Sequence, residues 1–143
     1  LKRIRNGFVL MQLGIGAGII ASCIDLMRES NLRLSHVNGF LEDGPDQMED
    51  ELGSLRERAG MLALDVLDDS DGQFAQVLTA RLMASELTLR ATQSAMLHTG
   101  AAGYSLASPA QRRLREGYFV AIVTPAIKHL RKEIDRLMTA GAR

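Results

Sequence analysis

Tryptophan is absent from this sequence, and two tyrosines and four phenylalanines are all the aromatic side chains it has. β-Branched residues are sparse as well, while Ala, Leu, Met, Arg, Glu and Gln dominate, so helix is expected throughout. A single cysteine, Cys23, sits inside an apolar run. One cysteine excludes an intrachain disulfide framework and a cysteine-based metal site, and points to a reducing, cytoplasmic setting. Neither sign of charge is in excess, with 17 Lys plus Arg against 17 Asp plus Glu. The basic excess of a nucleic-acid binder and the acidic tail of a solvating segment are both missing. Gly-x-Ser-x-Gly, a phosphate-binding Walker loop and a dinucleotide fingerprint are missing too. Gly14, Gly16 and Gly18 have the wrong spacing for that fingerprint and no strand before them. His36, His98 and His129 are far apart without metal-ligand spacing, so surface or capping roles are expected for them and no metal site is assigned.

What is present fits one domain of 143 residues, 46% of them apolar, with a core of its own. The chain opens on Leu1 rather than Met, which reads as a fragment or processed piece. The run from Gly7 to Met27 is long enough to span a bilayer and has cationic flanks. Gln12, Asp25 and its glycines oppose that reading, and the amphipathic segments that follow need a partner. A central helix of a soluble bundle, packed on several sides, is the favoured reading, and a membrane span is not.

Punctuation divides the chain into helical segments. The first runs from about Asn6, or earlier, to about Glu29. Its glycines imply close approach by a neighbouring backbone or a ligand, with tight helix packing the plainer explanation. Ser30 to Pro45 has no periodicity and reads as a loop. The second helix starts at Pro45, with Gly44 as its cap, and runs to about Leu67. It buries Met48, Leu52, Leu55, Ala59, Leu62, Ala63 and Val66. Asp68 to Gly72 is a turn, where Ser70 and Gln73 match a capping box. This turn lacks the glycine-centred pattern of a calcium loop. The third helix runs from about Gln73 to Leu97, with Phe74, Val77, Leu78, Leu82, Ser85, Leu89, Thr92 and Met96 on one face. A glycine-containing turn, His98 to Ala107, precedes a helix from Pro109 to about Val123 that carries a second capping box, Ser108 with Gln111. Thr124 and Pro125 repeat the cap-plus-proline start for a last helix to about Met138, beyond which the tail is free to fray. The expected fold is all-α, an antiparallel up-and-down four-helix bundle.

The turn and the helix after it carry a more specific pattern. Gly100-Ala101-Ala102-Gly103-Tyr104, then Pro109, Arg112, Arg115 and Glu116, resembles the Gly-Gly-x-Gly-Tyr…Pro-x-x-Arg…Arg-Asp signature of the acyl-CoA dehydrogenases. Ala101 and Glu116 depart mildly from it. Leu78 to Met96 resembles the preceding helix of that family's C-terminal domain, and Gly14 to Met27 its first helix. The loop with Phe40, followed by Gln47, resembles the family's Arg-x-x-Phe-Gly stretch and flavin-side glutamine.

The resemblance implies the C-terminal bundle of an FAD-dependent enzyme that desaturates an acyl-CoA thioester at its α and β carbons, in fatty acid metabolism. It also implies a homo-oligomer, with electron-transfer flavoprotein as a possible acceptor. It makes Phe40, Gln47, Gly100 and Gly103 candidate FAD-binding residues. Apart from the resemblance, Tyr104 beside Gly103 is a candidate ligand contact, with packing at the turn as the alternative. The family's usual catalytic base position falls at Thr124, and its alternative on the first helix falls at Phe8, beside Val9 where the family has a CoA-side arginine. The flavin-pyrophosphate arginine falls at His36. None of these supplies the expected group, so no catalytic residue is assigned. The isolated chain is expected to be inactive, and the alternative reading is a degenerate or repurposed subunit of the same fold with a structural or binding role.

Overall fold

The computed structural model describes residues 2–141, and they form five α-helices and one 3-10 turn with no strand among the described residues. Helix α1 spans Lys2–Asn38, α2 Pro45–Leu64, α3 Asp71–Thr99, α4 Pro109–Ile122 and α5 Ile127–Gly141, with the 3-10 turn at Gly100–Tyr104 between α3 and α4. The chain runs up, down, up, down, and the fourth passage is broken into α4 and α5. Of the tail expected to fray, residues 142 and 143 lie outside the described part, while α5 continues to Gly141.

The dominant pairing joins α1 to α3, which run parallel. At the lower end Asn6 Nδ2 donates to the Asp68 carbonyl at 2.6 Å and Arg5 Nη2 to the Asp69 carbonyl at 2.7 Å. At the upper end Ser30 Oγ donates to the His98 carbonyl at 2.5 Å. Small residues let the two backbones approach. Ala80, Ala84, Ala91 and Ala95 are buried on α3, and a Cβ on Gly16 would lie 2.8 Å from Thr88 Oγ1. The α2 helix covers one side of this pair and α4 with α5 cover the other, with α3 touching every other element. The core gathers Leu13, Ile20, Ile24 and Met27 from α1, Met48, Leu52 and Leu55 from α2, and Leu130 and Leu137 from α5, around the α3 alanines.

Four expectations are corrected by this arrangement. First, α1 does not end at Glu29: it continues nine residues to Asn38, through the stretch read as a loop. From Ser30 to Asn38 no Gly or Pro interrupts the helix, and Asn38 Nδ2 anchors its end to Asn31 Oδ1 at 2.9 Å, Ser30 Oγ at 3.2 Å and the His98 carbonyl at 3.3 Å. Second, α1 is not packed all round. By length and composition it could cross a bilayer, but one face enters the core and the other leaves Ile4, Phe8, Met11 and Ile15 exposed. Gly14 and Gly18 lie on that open side with nothing within 4 Å of a built Cβ.

Third, the buried face of α3 is not the expected aliphatic stripe. Val77, Leu78, Ser85 and Thr92 are buried as expected, but Phe74, Leu82, Leu89 and Met96 are only partly so. Their place in the interior is taken by alanines and by Arg81, Thr88, Ser94 and His98. Fourth, two of the expected caps do not form. Ser70 does accept from the Gln73 amide at 3.2 Å, and Gly44 does precede Pro45 at the start of α2. Ser108, however, makes no side-chain cap bond, and α5 begins at Ile127 with its first hydrogen bonds ending on the Ala126 carbonyl. Thr124 therefore lies in the break between two helices and caps neither.

Candidate functional site

The turn between α1 and α2 and the start of α2 frame a cavity of about 640 Å³ against α3. Phe40 and Gln47 both line it, so two of the four candidate FAD-binding residues come together. Phe40 is 90% exposed, held at the tip of the α1–α2 turn, and its ring projects with little cover. Gln47 Nε2 donates to Glu51 Oε1 at 3.2 Å, one turn along α2. On the α3 side the wall is Arg90, Gln93, Ser94 and Leu97, of which Gln93 and Leu97 are exposed.

Gly100 and Gly103 do not line this cavity. Gly100 ends α3 with φ at +66°, a left-handed conformation that L side chains rarely adopt. Gly103 is buried, and a Cβ there would stand 3.1 Å from Thr99 Cβ. Both glycines shape the 3-10 turn. Tyr104, at its end, is exposed and free to meet a partner. Thr99 at the end of α3 and Ala102 of the turn line a second cavity of about 460 Å³, with Ser30 and Arg33 of α1 and Ser108 to Ala110 at the start of α4.

An ion network fixes the floor of the first cavity. Arg90 holds Asp43 at 2.7 Å through Nη2, and Glu51 at 2.8 Å through Nη2 and 2.9 Å through Nη1. The Glu51 and Asp43 hydrogen bonds raise the Arg90 guanidinium above its ordinary range. The Arg90 bond in turn holds the Glu51 carboxyl below the usual carboxylate range, against the opposing effect of burial. Behind Arg90, Ser94 Oγ donates to the Asp43 carbonyl at 3.0 Å and so ties the α1–α2 turn to α3. His98 is buried, contrary to the surface or capping role expected for it. Its Nδ1 lies 2.8 Å from the Ser94 carbonyl, which makes Nδ1 the protonated nitrogen. Arg90, Gln93 and Leu97 were missed in the sequence. Their spacing of three and four residues on one face of α3 is the signal that marks them.

The two positions aligned with the family's base lie at the other end of the molecule. Phe8 is 55% exposed on α1, and Gln12, one turn on, donates from Nε2 to the Thr124 carbonyl at 3.1 Å. The helix that carries Phe8 therefore meets the Thr124 segment along one seam. Neither side chain can accept a proton at neutral pH as a general base. Val9, where the family has an arginine, is buried in the core. His36 is exposed near the end of α1, and His129 lines a small cavity on α5 with Val9, Phe74 and Pro125. Cys23 is fully buried, and burial pushes its thiol up to about 12, so it offers no reactive thiolate. Among the described residues no three His, Cys, Asp or Glu side chains are grouped to hold a metal.

No family model matches the chain, and no curated protein matches it.

Proposed function

We propose that this chain is the C-terminal helical domain of an FAD-dependent oxidoreductase of the acyl-CoA dehydrogenase kind, contributing surfaces to a flavin site and to a homo-oligomer. The observation that carries the reading is the ordered motif from Gly100 to Glu116, which falls on a glycine-terminated helix, a 3-10 turn ending in an exposed tyrosine, and a proline-started helix. The shared cavity of Phe40 and Gln47 supports it. An exposed aromatic ring and an exposed leucine offer apolar cover, and two amide side chains offer donors and acceptors, a set suited to one edge of a flat heterocycle with polar rims. Phe40 and Leu97 would hold the apolar face, and Gln47 and Gln93 the hydrogen-bonding edge. FAD bound there would supply the hydride acceptor for oxidation at the acyl β carbon. This chain's share is to position and to exclude water, because Phe8 and Thr124 leave the usual base positions without a base. Acyl-CoA as substrate, electron-transfer flavoprotein as acceptor and a cytoplasmic location belong to the same proposal.

The absent base favours a second reading, a subunit of the same fold that binds or scaffolds without dehydrogenating. Visible absorption of the purified full-length protein to which this domain belongs, before and after a panel of acyl-CoA thioesters, separates the two. Bound flavin that bleaches with a thioester supports the enzyme. Flavin that never bleaches supports the scaffold, and a protein that takes up no flavin overturns the flavin site.

A further inference from the structure

We draw no further inference here: the strongest candidate, the apolar stripe that Ile4, Phe8, Met11 and Ile15 expose along α1 next to the seam with α4, where Phe119 and Ile122 are also exposed, carries nothing because nothing in the structure shows what covers it.

Discussion

Arg81 of α3 reaches across the bundle to Val120 of α4, its Nη2 donating to the Val120 carbonyl at 2.9 Å while Nη1 donates to Ser85 Oγ. Val120 lies in the last turn of α4, where carbonyls lose their helical partners. A cation there also faces the negative end of the helix dipole. Arg81 is 1% exposed and has no carboxylate partner among the described residues, and burial lowers its affinity for the proton. The guanidinium thus acts as a buried C-cap that joins α3 to the start of the α4–α5 break.

Removing that cap leaves the Val120 carbonyl unpaired and opens a cavity, while relieving a desolvated charge. Arg81→Ala is expected to lower stability by about 2–4 kcal/mol. Arg81→Met, which fills the space, is expected to cost less. Urea denaturation of both variants tests this. Equal losses would mean that the hydrogen bond rather than the volume dominates, and no loss in either would remove Arg81 from the account of the fold.

Glycines on opposite sides of α1 are expected to respond with opposite signs. Gly14 and Gly18 have open space around a built Cβ, so alanine there relieves the entropy cost of a helical glycine and stabilises by about 0.5–1 kcal/mol. At Gly16 the same methyl meets Thr88 Oγ1 at 2.8 Å. Thr88 is fully buried, and its hydroxyl donates to the Ala84 carbonyl at 2.6 Å, so it has little room to move. Gly16→Ala is expected to destabilise by about 1–3 kcal/mol through overpacking. Thermal melts of the three single variants decide the matter, and a stabilised Gly16→Ala would refute the close approach of α1 to α3.

These two cases also show what was legible in the sequence. Helix content, the starts at Pro45 and Pro109 and the Ser70 cap follow from local chemistry, and each appears where proline or serine puts it. Of the expected α2 stripe, Met48, Leu52, Leu55 and Leu62 are buried and were readable because an aliphatic face on a polar helix has one interpretation, while Ala59 and Val66 are half-buried and Ala63 is exposed where α2 ends at Leu64. The α3 interior was not, because its packing uses alanines for close approach and polar groups whose partners lie far away in sequence: Arg81 with Val120, Ser94 with Asp43. The end of α1 was misread for the same reason. Residues 30–38 have no apolar period, and the helix is kept by Asn38 reaching the His98 carbonyl, sixty residues on. In the candidate site Phe40 and Gln47 were found through resemblance alone. Arg90, Gln93 and Leu97 needed the fold to bring α3 beside the α1–α2 turn.

The Arg90–Glu51 pair predicts an acid limb in stability. Glu51 has its folded-state pKa depressed by the Arg90 hydrogen bond first of all, so its contribution is present above the ordinary carboxylate value of 4.5. That contribution is lost as pH falls through the lower folded value. The side chains are 42% and 38% exposed, so solvent screening keeps the effect to roughly 0.5–1 kcal/mol. Arg90→Met is expected to lower stability by that amount at pH 7 and by progressively less in acid, with the gap narrowing further in high salt. Denaturation midpoints across a pH series check it. A gap that stays constant into acid would assign the loss to packing of the arginine stem instead.

Asn38 is the last test, and it concerns the helix end from which the turn lining the candidate site departs. Its amide Nδ2 makes the three hydrogen bonds that end α1, and from Leu32 to Val37 every residue is exposed. An exposed helix end without apolar cover depends on such a tie, because isolated turns are marginal in water. Asn38→Ala is expected to raise amide exchange across residues 32–38 toward that of unstructured chain. The global denaturation midpoint should fall only slightly, since the core below Ser30 is untouched. Phe40 should then lose its fixed place at the cavity rim, because the helix end that carries the turn has come loose. Unchanged protection of residues 32–38 in the variant would show that the helix holds itself, and that the Asn38 bonds follow from the helix rather than maintain it.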